Sequence, residues 1–442
     1  MPLKYQELSD HSSQLIAAAL SAADPADAVR EAIHRKSNGL SIGNQRVNID
    51  SGKFYLIATG KASVAMSLAA IDILGDIIDQ GIIITKNTES RPVSDSKLAN
   101  SLPESVRLYS GAHPISDSSS VRATAAVTSL LGNASENDTV LCLISGGTSS
   151  LLTEPRIPLD EWQSLIDALL SSGCTINELN TVRKQMDRVK GGGLARVAYP
   201  ARCFSLILSD VVGNPLDVIG SGPTVHNPDP PFLARKLLER YEINRVLAGE
   251  IWQVIEEQLS LAERETEQSR IEVVNLIIGD VRRSAEAAVQ AAGDLGFSTT
   301  LLTVHLEGEA REIGKVAASL AKDAKDGSCL VLGGETTVTV RGPGKGGRNQ
   351  ELALAAAVSL DGWERTAIIS FASDGEDGPT DAAGAIVTGE TITRARNLSI
   401  DPLLYLDQND SYRFFEEVGG HIRTGPTGTN VNDLVFILKY AH

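Results

Sequence analysis

Unbroken runs of apolar residues, separated by alanine-rich or amphipathic segments, restrict the fold of this 442-residue chain most strongly. A strand that is apolar at every position must be covered on both faces, as in a parallel sheet packed between helices. Helices are predicted at residues 62–74 and 121–131. Strands are predicted at Phe54–Thr59, at residues 81–85, 139–145, 206–208, 273–278, 299–304 and 329–332, and at Thr366–Ala372.

The chain length and a proline cluster indicate two domains. A chain of 442 residues exceeds the size at which one hydrophobic core usually stops growing. The densest proline cluster, Asn-Pro-Asp-Pro-Pro at residues 227–231, is the best boundary signal. We therefore expect an α/β protein of two doubly wound, mostly parallel-sheet domains. The first is Rossmann-like over residues 1–235, and the second covers residues 236–442 and opens with the strand at 273–278.

Composition restricts the class of partner. The formal net charge of -16 repels nucleic acid and anionic membrane surfaces, so local cations must capture any anionic substrate. The four cysteines and seven histidines are scattered without the spacing of a zinc site. The N-terminal segment resembles no signal peptide, and no run approaches 18 apolar residues. We expect a cytoplasmic protein that binds neither nucleic acid nor membrane.

The strongest binding motif is the loop Gly-Pro-Gly-Lys-Gly-Gly-Arg-Asn at residues 342–349. It follows an apolar strand that ends in Gly-Gly-Glu335 and precedes an Ala/Leu-rich helix. Backbone amides in such a loop converge on an anion, the helix adds its positive end, and Lys345 and Arg348 add full charges. The loop is therefore predicted to hold a phosphate.

Two alternatives for this loop stay open. It also satisfies Gly-x-Gly-x-x-Gly, which occurs in purely structural turns and in nicotinamide dinucleotide sites. A dinucleotide site needs an acid about 20 positions on, at the end of the next strand. Asp374 follows that strand a little late for this role. The two cations favour a phosphoryl group that is transferred.

Two further loops follow predicted strands. Gly60-Lys61 places a lysine at the start of a helix, where it opposes the helix dipole and is better explained as an anion ligand than as a solvated residue. Residues 145–150, Ser-Gly-Gly-Thr-Ser-Ser, are either a nest for phosphate or an ordinary helix cap. A catalytic serine there would lack the Gly-x-Ser-x-Gly elbow.

Acidic residues follow two other strands. Asp210 comes shortly after the strand at residues 206–208, and Asp374 after Thr366–Ala372. Ligands of open α/β sheets bind at the carboxyl ends of strands, so both aspartates are expected in a cleft. Such carboxylates hold magnesium or accept a hydroxyl proton, and phosphoryl transfer needs both functions.

At this point the chain resembles a known family, the two-domain glycerate 2-kinases whose C-terminal half is the MOFRL domain. The motifs that carry the resemblance span nearly the whole chain in the family's order. They are Gly-Lys-Ala at residues 60–62, Gly-Ala-His-Pro at 111–114, Ser-Gly-Gly at 145–147, Lys-Gly-Gly at 190–192, the run 209–223, Gly-Gly-Glu at 333–335, the loop 344–351, the acidic run 374–384 and the segment 424–433.

The resemblance implies phosphorylation of D-glycerate to 2-phosphoglycerate by ATP with Mg²⁺ or another divalent cation, in a cleft between the two domains. Departures from the family pattern occur at residues 148–150 and 184–187. A homodimer is left open. The expected catalytic residues are Lys61, Asp210, Arg348 and Asp374. The expected substrate- or nucleotide-binding residues are Gly60, Ser145, Gly146, Gly147, Lys190, Glu335, Gly344, Lys345, Gly346, Gly347 and Asn349.

In the expected mechanism, Lys61 and Arg348 hold the glycerate carboxylate or the transferred phosphate. One of Asp210 and Asp374 takes the proton of the 2-hydroxyl and the other holds the metal, and the sequence does not distinguish them. Two other functions remain as alternatives: an NAD(P)H-dependent hydroxypyruvate reductase, and a non-catalytic protein that binds sugar acids or nucleotides.

Overall fold

The computed structural model describes residues 5–36, 39–49, 51–86, 102–265, 271 and 273–441. By its internal contacts the chain forms two units. The N-terminal unit consists of Pro25–Ser209 and Asn214–Ile278, and the C-terminal unit consists of Met1–Asp24, Asp210–Gly213 and Gly279–His442. In the described part of the chain, no helix is both long and apolar enough to cross a membrane.

Helices and strands alternate through most of the chain. The helices are α1 (Tyr5–Ala22), α2 (Pro25–Ala32), α3 (Ser63–Leu74), α4 (Ser118–Leu131), α5 (Thr148–Leu151), α6 (Leu159–Ser171), α7 (Ile176–Met186), α8 (Gly193–Ala198), α9 (Pro231–Arg240), α10 (Ile243–Val246), α11 (Gly249–Glu265), α12 (Val281–Asp294), α13 (Ala310–Asp323), α14 (Arg348–Leu360), α15 (Thr391–Asn397), α16 (Pro402–Asp407) and α17 (Ser411–Val418). The strands are β1 (Ile33–Lys36), β2 (Gly39–Ile42), β3 (Gln45–Val47), β4 (Phe54–Thr59), β5 (Gln80–Lys86), β6 (Val106–Gly111), β7 (Thr139–Ile144), β8 (Arg202–Leu208), β9 (Val273–Gly279), β10 (Ser298–Glu309), β11 (Ser328–Thr337), β12 (Thr366–Ala372), β13 (Gly384–Thr388), β14 (His421–Ile422) and β15 (Asp433–Lys439).

The N-terminal unit is built on a sheet with the strand order β6-β5-β4-β7-β8-β9. β4 pairs in parallel with both β5 and β7, and the pairs β5/β6 and β7/β8 are parallel too. Every residue of β4 and β7 is buried, which explains their unbroken apolar sequences. The order of the strands reverses between β4 and β7. Their carboxyl ends therefore form the crevice at which open α/β sheets bind ligands.

The C-terminal unit has a mixed sheet with the order β10-β11-β15-β12-β13-β14. β10 and β11 are parallel, whereas the other four neighbouring pairs are antiparallel. β10, β11, β12 and β14 thus run in one direction, and β13 and β15 run in the other. The α/β class is confirmed, and the antiparallel neighbours are a feature that the sequence pattern did not indicate. β15, the last strand, lies between β11 and β12 at the middle of this sheet.

Helices cover both faces of this second sheet. Alternate residues of β15 enter different cores: Val435 and Ile437 pack with α13 and α14, whereas Leu434 and Phe436 pack with α1 and α12. Successive side chains of a strand point to opposite faces. The part of a strand that lies between two helical layers must therefore be apolar at every position, as β15 is from Leu434 to Leu438.

The expected domain boundary at residues 235/236 differs from the division by contacts. α9 lies wholly in the N-terminal unit, where Leu237 and Leu238 pack with Leu179 and Val182 of α7. β9, expected to open the second half, is the edge strand beside β8. The proline cluster at residues 227–231 starts a helix within this unit, because proline suits the first helical turn as well as a linker. α1 instead belongs to the C-terminal unit.

Candidate active site

The loops after β4 and β7 lie side by side at the switch point of the N-terminal sheet. The Lys61 amide donates to the Gly146 carbonyl over 2.8 Å. Ser145 Oγ accepts from the Ala62 amide over 3.1 Å. Gly60 has φ +119°, and a Cβ there would lie 2.2 Å from Ser145 Oγ. Gly60 and Ser145 therefore permit the close approach of the two loops, whereas the Lys61 side chain is exposed.

His113 lies against the same loops. A Cβ on Gly147, whose φ is +88°, would lie 3.1 Å from His113 Cδ2 and 3.4 Å from Lys61 Cγ. Burial, together with the charges of Lys61 and Lys86, lowers the pKa of His113 to about 4. His113 is therefore neutral at pH 7 in a positive environment. The motif Gly-Ala-His-Pro contained it, but it was not predicted as a site residue.

A cavity of about 450 Å³ adjoins His113 and Gly147. Trp162, Ile166 and Leu170 contribute apolar wall. Its polar lining includes the side chains of Ser149, Ser150, Gln163 and Arg183. A mostly apolar cavity of this size with a few polar groups is typical of a small-molecule site.

Lys190, which was expected to bind substrate or nucleotide, lies inside the protein. Its side chain is 1% exposed and its ammonium pairs with Asp187 over 3.0 Å. The same ammonium donates to the Leu152 carbonyl over 2.8 Å. A buried carboxylate needs such a partner, so Lys190 neutralises Asp187 and is not placed to contact a ligand.

In the C-terminal unit, Arg348 is hydrogen-bonded to two carboxylates. Its Nε and Nη2 donate to the two oxygens of Asp433 over 2.5 and 3.0 Å, and its Nη1 donates to Glu335 over 2.6 Å. Burial raises the pKa of Asp433, and the pairing with Arg348 opposes that rise. Burial lowers the pKa of Arg348, but the two carboxylates outweigh it and raise the pKa above its usual value. Arg348 is therefore charged throughout the physiological range.

Asn432 extends this group to Asp210. Its side-chain amide donates to Glu335 over 3.0 Å and to the Asp210 carbonyl over 2.6 Å. The structure thus brings together three residues predicted from the sequence, Asp210, Glu335 and Arg348. Asn432 and Asp433 were not predicted as site residues, although the motif at residues 424–433 contained them.

Asp374 follows β12 and lies beside the segment that carries Asn432. The Ser373 amide donates to the Asn432 carbonyl over 3.1 Å, and the Thr427 amide donates to the Asp374 carbonyl over 3.2 Å. The Glu376 amide donates to Asp374 Oδ1 over 3.2 Å. The side chain of Asp374 is half-buried, so its carboxylate can reach a ligand.

The glycine-rich loop is packed against the turn at residues 408–410. Three of its amides donate to that turn, as does the amide of the preceding Arg341: Arg341 and Gly342 to Asn409 Oδ1, Gly344 to the Gln408 carbonyl and Lys345 to Asp410 Oδ1. A Cβ on Gly344 would lie 2.4 Å from the Gln408 carbonyl oxygen. The Lys345 ammonium lies 4.4 Å from the Tyr412 ring centroid. These glycines therefore permit contact with protein, and Gly344 does not present its amide to an anion.

Asp377 occupies the N-terminus of α14. Its two oxygens accept from the amides of Asn349 and Gln350 over 3.0 and 2.9 Å. The positive end of the helix is thus already neutralised, and the expected phosphate contact from Asn349 is not available. In the described structure the amides of Gly346 and Gly347 form no hydrogen bond. A backbone contact from this loop to a phosphate would therefore come from the amides of Gly346 and Gly347.

The described residues contain no group of three or more His, Cys, Asp or Glu side chains arranged to hold a metal ion. Glu335 and Asp433 are both partners of Arg348. Asp210 and Asp374 are not among the partners of Arg348. They remain the candidate ligands of a magnesium ion, which is usually bound by one or two protein carboxylates together with phosphate oxygens and water.

Comparison with known proteins identifies the family. Residues 11–256 match the family described as "Domain of unknown function (DUF4147)", and residues 328–433 match the MOFRL family. The D-glycerate 2-kinase of Thermotoga maritima is 41% identical over 400 residues, 88% of this chain and 91% of that protein. The chain belongs to the glycerate 2-kinase family. The resemblance drawn from the sequence motifs is confirmed.

Another family member and a solved structure agree. The glycerate 2-kinase of Pyrococcus horikoshii is 38% identical over 447 residues, 96% of each chain. The crystal structure of glycerate kinase from Thermotoga maritima has a TM-score of 0.84 and 36% identity, and the match covers 98% of this chain and 100% of that chain. The family's fold therefore extends over the whole of this protein.

Proposed function

We propose that this protein is an ATP-dependent glycerate 2-kinase that transfers the γ-phosphoryl group of ATP to the 2-hydroxyl of D-glycerate. Its family membership supports the reaction class. The observation that carries the proposal is the hydrogen-bonded group Asp210, Asn432, Glu335, Arg348 and Asp433 in the C-terminal unit. This group combines strand-end carboxylates with a charged arginine, which are parts that phosphoryl transfer requires.

The reaction needs a base at the 2-hydroxyl. The hydroxyl oxygen attacks the γ-phosphorus, the bond from that phosphorus to the bridging oxygen breaks, ADP leaves, and the hydroxyl proton passes to a carboxylate. Asp210 and Asp374 are the candidates, because both come shortly after a strand end and Arg348 does not neutralise either of them. One takes the proton, and the other is available to a metal ion.

Arg348 still has donors for a ligand. A guanidinium carries five N–H groups. Three hydrogen bonds, one each from Nε, Nη1 and Nη2, go to Asp433 and Glu335, which leaves one N–H on each Nη. The side chain is 32% exposed, so a ligand can approach it. We assign the two remaining donors to the transferred phosphoryl group or the glycerate carboxylate, with the two acids holding the guanidinium in place.

In the N-terminal unit, Lys61 supplies the cation for an anionic group of the substrates. Its exposed side chain comes from the switch point beside the neutral His113. The adjoining cavity has apolar walls, including Trp162 and Ile166. Glycerate has little apolar surface and adenosine has much. We therefore assign this cavity to the adenosine of ATP.

Magnesium fits the carboxylates of the C-terminal unit. Mg²⁺ prefers oxygen ligands and is usually held in kinases by one or two carboxylates together with the phosphates of the nucleotide. Asp210 or Asp374 would hold it, and when bound it would neutralise charge on the phosphates. The hydrogen bonds that position these two loops, from Asn432 to Asp210 and from Thr427 to Asp374, do not depend on the ion.

The described glycine-rich loop argues against the alternative of a nicotinamide-dependent reductase. A dinucleotide loop needs glycine amides and a helix N-terminus open to the pyrophosphate. The amides of Gly342 and Gly344 instead donate to residues 408–410, and Asp377 caps α14. The loop therefore has the glycine spacing of a dinucleotide site, but those amides and the N-terminus of α14 are not open to a pyrophosphate.

Purified full-length protein tests the proposal. It should be incubated with D-glycerate, ATP and Mg²⁺, and separately with hydroxypyruvate and NADH. We expect ADP to form only with glycerate, the product to be the 2-phosphate and NADH to stay unchanged. Formation of the 3-phosphate would contradict the site of transfer, and NADH consumption without ADP formation would replace the kinase by the reductase.

Asp210→Asn and Asp374→Asn test the assignment of the acids. Asparagine keeps the shape of the side chain and removes its charge, so each variant should melt near the parent and lose roughly a hundredfold or more in kcat. Raising magnesium should partly restore the variant that lost a metal ligand and leave the other inactive. Glu376→Gln, at an exposed position beside Asp374, is the control and should keep full turnover. Full turnover of both aspartate variants would refute the assignment.

A further inference from the structure

A second cavity, in the C-terminal unit, contains none of the residues assigned to phosphoryl transfer. Its volume is about 540 Å³. Its lining comes from α1, β13, α15, β14 and the residues that flank β14. A cavity of this size accommodates a ligand larger than glycerate.

Arg394 gives this cavity a cation without an acidic partner in the described structure. Its Nε is buried and has no hydrogen-bond acceptor. Its Nη2 donates weakly to the Thr391 hydroxyl over 3.4 Å. The other N–H groups of the two Nη atoms form no hydrogen bond in the described structure, and the side chain is half-buried, so an anion in the cavity can bond to them.

The other charged groups at the cavity largely cancel. Arg423 pairs with Asp381 over 3.3 Å and donates to the Tyr412 hydroxyl. Burial and the Arg423 charge lower the pKa of His421 to about 4, although Asp381 opposes this, so His421 is neutral at pH 7. The net charge at the cavity is then that of Arg394, which matches a ligand with a single negative charge.

His421 presents a second polar atom without a partner. Its Nε2 is buried and forms no hydrogen bond in the described structure. The ring packs on Tyr412 with centroids 4.7 Å apart, so its orientation is held by contact with its neighbour. A neutral imidazole nitrogen donates or accepts according to its tautomer. Because protein atoms cover this nitrogen, the head group of a ligand is held by Arg394.

The wall formed by α1 carries four apolar residues and three serines. Leu8 and Ile16 line the cavity from this helix, and Ile386 and Ile422 line it from the sheet edge. Hydroxyls of Ser9, Ser12 and Ser13 interrupt this surface. The cavity therefore combines one positive charge with a larger apolar wall.

We propose that this cavity binds a carboxylate monoanion with an apolar chain, its head group on the Nη groups of Arg394 and its chain against Leu8, Ile16 and Ile422. A phosphate dianion would lack a second unpaired cation, and an ammonium ion would meet the guanidinium. Neither would match the apolar wall. The ligand class is thus a short or medium-chain organic acid, which differs in shape and polarity from both kinase substrates.

Isothermal titration of the full-length protein with sodium octanoate, below its micellar concentration, tests this proposal. Octanoate should bind at one site per chain, whereas octylammonium chloride and sodium acetate should bind at least roughly tenfold more weakly, because each lacks one of the two features. Since no ATP or glycerate is present, the result does not depend on the kinase proposal. Absence of octanoate binding, or equal binding of octylammonium, would overturn the site.

Two variants locate the site. Arg394→Met keeps the aliphatic stem and removes the charge, so it should weaken octanoate binding at least roughly tenfold. Arg396→Met, on the same helix but paired with Asp361 outside the cavity, is the matched control and should bind like the parent. Unchanged affinity in Arg394→Met would refute the proposal.

A third variant keeps the test decisive if Arg394→Met does not fold. Ala17 is an exposed residue of α1 that lines the cavity, so Ala17→Trp should fill it and abolish octanoate binding while the protein stays folded. Gln14→Trp places the same side chain at an exposed position of α1 outside the lining and should not affect binding. Binding that survives Ala17→Trp would place octanoate elsewhere.

Discussion

Two loops of this protein share a sequence pattern, glycine with a cation after an apolar strand, and differ in what surrounds them. After β4, the loop at Gly60 and Lys61 leaves the lysine side chain exposed beside the neutral His113. After β11, the loop at residues 342–349 donates its amides to a neighbouring turn, and both of its cations contact protein groups.

This comparison shows that a glycine in a strand-end loop indicates that another group comes close to the backbone. It does not identify that group as a ligand or as another part of the protein. At Gly347 a Cβ would lie 2.2 Å from the Asp377 side chain, so another part of the protein occupies that space. The surroundings of a cation in such a loop likewise decide its role: Lys345 lies over the Tyr412 ring, whereas Lys61 lies beside His113 at the switch point of the first sheet. Lys61 and Lys345 therefore have different expected roles despite similar sequence contexts.

The largest expected difference between the loops is in the activities of Lys61→Met and Lys345→Met. Lys61→Met should lower kcat/KM for phosphorylation of glycerate by roughly a hundredfold, because a positioned cation on a developing charge contributes about that much. Lys345→Met should stay within about threefold, since its ammonium lies over the Tyr412 ring and that contact contributes about 0.5–1 kcal/mol to stability. Equal losses in the two variants would erase the distinction.

Arg348→Lys tests whether the arginine of the second loop acts through its geometry. Lysine keeps the charge but cannot reproduce three hydrogen bonds to Asp433 and Glu335 while offering donors to a ligand. Activity should fall at least roughly tenfold, about 1.4 kcal/mol in transition-state free energy. A double-mutant cycle with Glu335→Gln should show strong coupling in kcat. Parent-like activity of Arg348→Lys would make it an ordinary surface residue.

Gly347→Ala tests the packing of the second loop through stability. The new methyl would meet the Asp377 carboxyl that caps α14, so the free energy of unfolding in urea should fall by about 1–3 kcal/mol. Gly293→Ala is the opposite control. It lies in α12 with no atom within 4 Å of the new Cβ, and alanine should stabilise the helix by about 0.5–1 kcal/mol. If Gly347→Ala left the free energy of unfolding unchanged, the loop would have to move away from Asp377 at little cost.

His113 should make the stability of the N-terminal unit depend on pH. Its pKa is about 4 in the folded protein and 6.5 ordinarily, so the unfolded chain takes up the proton first as the pH falls. Stability is fully present above about pH 6.5 and is lost towards pH 4. His113→Gln should therefore flatten the decline in melting temperature between these values, the smallest of these effects. His421→Gln removes a histidine with a similarly lowered pKa from the C-terminal unit and provides the comparison. If the melting temperature of His113→Gln declined as steeply as that of the parent, the lowered pKa of His113 would be contradicted.

The sequence predicted individual strands well where burial is complete. β4 and β12 match the predicted spans residue for residue, because both are buried at every position and mostly apolar. The sequence predicted less well which strands pair with one another in each sheet. β9 has the same apolar character as the other strands, yet it pairs beside β8 in the first sheet, and β15 enters the middle of the second sheet antiparallel to its neighbours.

The candidate site shows the same division. Glu335 and Arg348 are near in sequence and stand in recognisable motifs, so both were predicted. Asn432 and Asp433 lie more than 80 positions further on, and only the pairing of β15 beside β11 brings them to Arg348. The burial of Lys190 against Asp187 was not predicted either, because a lysine that precedes a run of glycines looks the same in sequence whether it faces solvent or a carboxylate.

The sequence alone determined the α/β class, the strands with two covered faces, the family and most of the charged residues of the proposed reaction, because apolar periodicity and local motifs are properties of short segments. The tertiary structure decided which cations pair with carboxylates, as Arg348 and Lys190 do, and which side chains stay exposed, as that of Lys61 does. Hydrogen bonding and burial depend on residues far apart in the chain, and only the packed sheets bring those residues to within a few ångströms.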